Sequence, residues 1–272
     1  MNEAPINGTT LAWRAAGSGS ALVLLHGFPF DSRLWEPQLR DLPEGWQGLA
    51  PDLRGFGRSR GGDVPLTMEQ HARDVLALLD RLAIERAVVC GLSMGGYCAL
   101  ALHRLDPGRV RALVLCDTRA EPDTDDARRQ RAAQAALVRD GRAGDVLGPL
   151  LRRLVAPDTP ARRPEVMTVL ETMMFGTLPE TLVAALHGLA ARPDARPQLP
   201  GIRVPCLVLG GELDELTPPA VLRELARAIP GARLALLPGA GHVSNLEAAD
   251  HFNGELHVFL AELDGDCGPA DQ

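Results

Sequence analysis

The chain has 272 residues, a formal net charge of −7 and an isoelectric point near 5.5, so neither nucleic acid nor an anionic membrane surface is an expected partner. All 28 basic residues are arginine, which excludes any mechanism that needs a catalytic or phosphate-cradling lysine. Hydrophobic residues make up 46% and charged residues 23%, ordinary values for a chain able to bury a full core.

In chain order, Ile6-Asn7-Gly8-Thr9-Thr10 reads as a hairpin, with Asn-Gly at the turn and residues 11–14 as the second arm. Residues 21–25 form a continuous apolar run, as in a parallel strand buried on both faces, ending in His26-Gly27-Phe28-Pro29. Residues 32–42 read as a helix with Pro37 inside it. Residues 46–50 read as a strand followed by the polar, Gly-rich stretch 51–59. Apolar residues at helical intervals (Met68, Val75, Leu78, Leu79, Leu82) predict a helix over 67–82, capped by Thr67. Residues 87–102 then read AVVCGLSMGGYCALAL: a strand, a tight turn with Ser93 at its apex, and a helix. Glycines two before and two after the serine allow strand and helix backbones to crowd together, the G-x-S-x-G nucleophile elbow.

Residues 110–116 form another apolar strand ending at Asp117, and the alternation of strand and helix implies βαβ units and a parallel sheet. From 119 to 201 no strand pattern is present. Segments 128–139, 145–155, 164–175 and 179–191 read as helices, so 119–201 is expected to be a helical cap inserted into a core formed by 1–118 and 202–272. The strand pattern resumes at 204–209 and 232–237, with a helix over 218–228 between them. A closing helix is expected over 246–263, interrupted at Asn253-Gly254, and residues 265–272 read as a frayed tail. Five cysteines without C-x-x-C spacing, no signal-peptide pattern and no apolar run of about 20 residues make the cytoplasm the expected location.

A serine hydroxyl needs a neighbouring base, and the base an orienting acid. On a parallel sheet such residues follow the carboxyl ends of strands. Of the seven histidines, His71, His103, His187, His251 and His257 lie within predicted helices, and His26 suits a bracing role for its loop. His242, on the Gly-rich loop after the last strand, is the expected base. For the acid, Asp214 follows the penultimate strand, which gives the chain order Ser93, Asp214, His242; Asp117 is the chief rival, with Glu212 and Glu215 nearer ones. The oxyanion donors are expected to be the backbone N–H groups of Met94 and Phe28. Asp52 and Arg54 are expected to brace the loop beside His26.

Five ordered motifs carry a family resemblance: His26-Gly27-Phe28-Pro29, the PDLRGFGRS stretch at 51–59, GLSMGG at 91–96, the Asp214 stretch ending in Thr217-Pro218, and Gly241-His242. Together they resemble the α/β-hydrolase superfamily, and within it small capped carboxylesterases and 3-oxoadipate enol-lactonase-like hydrolases. The resemblance implies an α/β fold with an eight-stranded, mostly parallel sheet, flanking helices and a helical cap. It also implies no metal or cofactor, and hydrolysis of a small ester or lactone through an acyl-enzyme. Aspartate-elbow dehalogenases and epoxide hydrolases are disfavoured by Ser93, and hydroxynitrile lyases by the lack of lysine. Perhydrolase relatives carry tryptophan where Phe28 stands. Carbon–carbon bond hydrolases share the triad and stay open, as does, in a different class, a non-catalytic ligand receptor on the same fold. Met173, Met174 and Phe175 are candidates to line an apolar acyl pocket with Phe28, Met94 and Val243, or else to pack the cap onto the core. Without tryptophan or tyrosine in the cap, small aliphatic acyl groups are favoured over aromatic ones. Acyl preference, ester against lactone, and oligomeric state are not legible in the sequence.

Overall fold

The computed structural model describes residues 1–61 and 66–265. Eight strands form one sheet: β1 (Asn2–Ile6), β2 (Thr9–Gly17), β3 (Ser20–Leu25), β4 (Trp46–Pro51), β5 (Ala87–Leu92), β6 (Val110–Cys116), β7 (Cys206–Gly211) and β8 (Arg233–Leu237). Their order across the sheet is β1-β2-β4-β3-β5-β6-β7-β8. The β1–β2 and β2–β4 pairs are antiparallel, the first closed by Asn7-Gly8, and every other pair is parallel. The register pairs Leu25 with Gly91, Leu92 with Cys116, Cys116 with Leu209, and Gly211 with Leu237. The residues that follow these ends therefore share one rim of the sheet.

Helices flank the sheet as α1 (Glu36–Arg40), α2 (Met68–Arg81), α3 (Met94–Leu105), α9 (Pro219–Ala228), α10 (Ser244–Glu247) and α11 (Ala249–Gly265). Between β6 and β7 lie α4 (Asp125–Arg139), α5 (Gly144–Arg153), α6 (Thr159–Arg162), α7 (Pro164–Gly176) and α8 (Pro179–Ala190), the segment we refer to as the cap. Alternate strand residues sort onto two cores, as the period-2 pleat requires. Val23, Val89, Leu113 and Val208 pack with α2, α3 and α9, whereas Leu24, Val88, Val114 and Leu209 pack with α11 and with apolar residues of the cap. No single described helix is long and apolar enough to cross a membrane; α7 and α8 would be so only together, and they are bent by 95° relative to each other.

Several boundaries differ from the sequence reading. The expected helix over 32–42 is a 3₁₀ turn (Ser32–Trp35) followed by α1, and Pro37 sits in the first turn of α1, where its missing N–H costs nothing. The closing helix breaks at Ala248 and runs unbroken through Asn253-Gly254. Tertiary bonds override local propensity there: the Asn253 amide accepts from Gln38 Nε2 at 2.8 Å and donates to Asp41 Oδ2 at 2.9 Å. Thr67 caps α2 as expected, accepting from Gln70 N. Of the expected tail, residues 266–272, with Cys267, lie outside the described residues.

Candidate active site

The turn between β5 and α3 is as tight as its glycines allow. A Cβ on Gly91 would overlap the Gly95 carbonyl, and one on Gly95 would overlap Leu25 O, so only glycine fits at either place. Ser93 itself has φ +54° and ψ −113°, a strained conformation for a residue with a side chain. It is held by Ser93 N donating to Cys116 O at 2.8 Å and by Thr118 Oγ1 donating to Ser93 O at 2.8 Å. The serine side chain is thereby lifted above the rim into a cleft of about 240 Å³ between core and cap.

His242 lines the same cleft. Its Nδ1 lies 2.8 Å from Asp214 Oδ2, and the other oxygen of Asp214 accepts from Leu216 N at 2.7 Å and Thr217 N at 2.8 Å. Burial pushes the Asp214 carboxyl up, but the adjacent His242 and these N–H donors outweigh it and hold the group below its ordinary value. An ionised Asp214 fixes Nδ1 as the protonated ring nitrogen and leaves Nε2 as the basic one. Among the described residues Ser93 Oγ makes no side-chain hydrogen bond, and both Ser93 and His242 line the cleft. Asp117, the rival acid, is turned elsewhere. It accepts from Gly211 N at 2.9 Å and from Ser244 Oγ at 2.5 Å, and burial followed by repulsion from Asp214 raises its carboxyl well above the usual range.

Two backbone N–H groups at the rim are left without an acceptor among the described residues. Met94 N is at the first turn of α3, where no intrahelical acceptor exists, and Phe28 N is in the loop after β3. Both residues line the cleft. The loops beneath are braced by the side chains singled out in the sequence. His26 accepts from Leu53 N at Nε2 (2.9 Å) and donates from Nδ1 to Gly27 O (2.9 Å), and burial lowers its pKa, which keeps the ring neutral. Asp52 accepts from Ser32 N and Arg58 N, and Arg54 forms a buried two-pronged pair with Asp74 at 2.7 Å on each prong.

The acyl-pocket assignment is only partly met. Phe28 and Met94 line the cleft, but Met173, Met174, Phe175 and Val243 do not. Met173 and Met174 turn inward and pack with Leu34 and Trp35, so they join the cap to the core. Met173 also reaches a separate cavity beside Asp31, Arg33 and Thr177. Phe175, one position further round α7, is 53% exposed, and Val243 is buried in the core. The cleft is instead walled by Val146, Leu150, Leu154, Leu186, Leu189 and Tyr97. Tyr97 was legible in principle, because it is four residues after Ser93 on a helix and so shares its face. Four arginines, Arg119, Arg131, Arg153 and Arg192, also line it, against one carboxylate, Asp123. Burial would raise Asp123, but pairing with Arg131 and Arg192 (Arg192 Nη1 at 2.5 Å) holds it below its ordinary value. Arg192 also stacks on Tyr97, 4.5 Å from the ring centre. Among the described residues Arg119 donates to Leu216 O, and neither it nor Arg153 has a carboxylate partner.

A serine on a strained strand-to-helix turn, an aspartate-paired histidine on another loop of the same rim and a mostly parallel eight-stranded sheet define an α/β-hydrolase. Residues 20–249 match the alpha/beta hydrolase fold family, and the chain belongs to it. It is 34% identical to a thermophilic esterase from Thermogutta terrifontis, solved with malate bound, at a TM-score of 0.94 covering 97% of this chain and 99% of that one. The enol-lactonase from Burkholderia xenovorans superposes with a TM-score of 0.89 at 35% identity, covering 96% and 100%. A pimeloyl-[acyl-carrier protein] methyl ester esterase from Vibrio atlanticus is 30% identical over 271 residues, 92% of this chain and 98% of its own length. These three relatives are named for hydrolysis of different esters or lactones, so family membership supports a hydrolase without fixing its substrate.

Proposed function

We propose that the protein hydrolyses small carboxylic esters through an acyl-enzyme, with Ser93 as nucleophile, His242 as general base and acid, and Asp214 as the orienting acid. The observation that carries this reading is the Asp214–His242 pair facing the same cleft as a serine held at positive φ on the elbow. Ser93 attacks the ester carbonyl carbon as His242 Nε2 takes its proton. The developing oxyanion is held by the N–H groups of Phe28 and Met94, and collapse expels the alcohol, which receives the proton from His242. Water, deprotonated by the same imidazole, then attacks the acyl-enzyme and releases the acid with Ser93 restored. Asp214 stays ionised throughout and stabilises the imidazolium. The cleft volume of about 240 Å³ and its aliphatic walls favour short acyl groups.

A second reading, hydrolysis of a lactone or ester bearing its own carboxylate, is favoured by the excess of arginine in the cleft. It is in keeping with the enol-lactonase relative and with malate bound to the esterase relative. Both readings share the triad. Ser93→Ala is expected to lower turnover of p-nitrophenyl acetate and butyrate by about 10³-fold or more with an unchanged circular dichroism spectrum. A fluorophosphonate probe is expected to label the wild type at Ser93. Turnover retained by the variant would refute the mechanism, and an unlabelled, folded wild type would favour a non-catalytic receptor.

A further inference from the structure

The loop carrying His242 is held from two sides: the core holds it through Asp214 on the imidazole and Leu213 N on Ala240 O, and the cap holds it through the backbone. The backbone N–H groups of His242 and Val243 both donate to Leu154 O, at 3.0 and 3.1 Å. The preceding N–H, of Gly241, donates to Glu247 Oε2 at 2.8 Å. The other oxygen of that carboxylate accepts from two groups of the cap, Ala156 N at 2.7 Å and Thr159 Oγ1 at 2.6 Å. A fifth tie to the cap joins Arg163 Nη1 to Glu247 O at 3.0 Å. On the core side the chain just beyond is fixed separately, by Ser244 on Asp117 and by Asn245 Nδ2 on Leu34 O. Glu247 is half-buried at the end of α10, five residues after the histidine, and takes no part in the hydrolytic steps above.

We propose that Glu247 is a positioning residue, a latch whose carboxylate joins Ala156 and Thr159 of the cap to the His242 loop and, with the Leu154 bonds beside it, sets where the imidazole stands relative to Ser93. This rests on the triad reading. Three donors converge on one carboxylate, and no acceptor other than a carboxylate can serve all of them from both oxygens. Leu154 and Arg153 line the cleft, so the segment that walls the substrate cleft is also one that holds the His242 loop. Cap contacts with substrate are thereby felt at His242 through Leu154 and Glu247, without a moving wire of side chains across the core.

The test is Glu247→Gln, which keeps the shape but turns an amide N–H₂ toward one of the donors. Turnover of p-nitrophenyl butyrate is measured per active site titrated with the fluorophosphonate probe. A fold-only role would reduce the number of titratable sites and leave each one at wild-type speed. A latch predicts a kcat per titrated site lower by about 10- to 100-fold, with KM within about twofold, as expected for misplaced catalytic groups. Thr159→Val, which deletes one donor at constant shape, is expected to lower kcat by about threefold, and the double variant to add nothing to Glu247→Gln. Wild-type kcat per titrated site in Glu247→Gln overturns the proposal; if that variant does not fold, Thr159→Val decides on the same readout. Loss of all turnover in Ser93→Ala together with wild-type rates in both variants would remove the latch and leave the triad standing. Turnover surviving in Ser93→Ala would remove the triad itself.

Discussion

Two buried carboxylates, Asp117 and Asp214, lie at the rim of the sheet, and burial acts on both in the same direction. Their partners separate them. Asp214 faces an imidazole N–H and two backbone N–H groups and stays below its ordinary pKa, whereas Asp117 faces one N–H and a hydroxyl and is raised. Asp214→Asn is expected to cost about 10⁴ in kcat, because the amide presents the wrong group to Nδ1 and selects the wrong tautomer. Asp117→Asn is expected to leave kcat nearly intact, since the amide oxygen can still accept from Gly211 N and Ser244 can reverse its hydroxyl. At φ +45° asparagine is also a tolerated residue. Steady-state kinetics on the two variants side by side checks the assignment. The sequence ranked Asp214 first from chain order, but which carboxylate meets the histidine is a matter of side-chain direction, and no spacing rule carries that.

Helix α2 shows how an element can be well formed and still carry a local conflict. Its cap, its helical spacing of apolar residues and its burial against α3 agree, yet His71 on the buried face has both ring nitrogens without a partner among the described residues. Burial, aided by the neighbouring His26 and the Arg54 guanidinium, brings its pKa down to about 3; only Asp74 pulls the other way. A base whose pKa is lower folded than unfolded contributes stability that is complete above the unfolded value, near 6.5, and is lost as pH falls below it. At pH 5 the loss from His71 is about 2 kcal/mol relative to neutral pH. His71→Leu is therefore expected to raise the melting temperature at pH 5 more than at pH 8, with His26 leaving part of the acid sensitivity in place. Thermal denaturation at the two pH values checks it; an equal shift at both would place the titrating group elsewhere.

Across the whole molecule the charge is unevenly spread. The chain is acidic overall, yet the cleft is lined by four arginines and one aspartate. Arg131 and Arg192 share Asp123, so among the described residues Arg119 and Arg153 are the cleft cations without a carboxylate partner. If the substrate carries a carboxylate, Arg153→Ala is expected to raise KM for an anionic ester, such as a monomethyl ester of a short dicarboxylic acid, by about tenfold. The KM of the neutral dimethyl ester should stay within about twofold, and the difference should shrink as salt is added. Equal effects on both esters would assign Arg153 to the solvated surface and favour neutral esters as substrates.

The strands, the elbow, the chain order of Ser93, Asp214 and His242, and the helical character of residues 119–201 were legible because each rests on local chemistry: period-2 or helical spacing, glycines at a crowded turn, polar residues straight after apolar runs. The run of Met173, Met174 and Phe175 was legible as apolar but not as to where it points. Neighbours on a helix are separated by about 100°, so two of the three turn into the core and the third into solvent. Asn253-Gly254 looked like a break and is not one, because Gln38 and Asp41, more than 200 residues away in sequence, hold it in the helix. The unpaired arginines of the cleft and the Glu247 bonds across to the cap depend on contacts between distant segments. Periodicity in one stretch says which face is buried, and only the packing of that face against another decides what it meets.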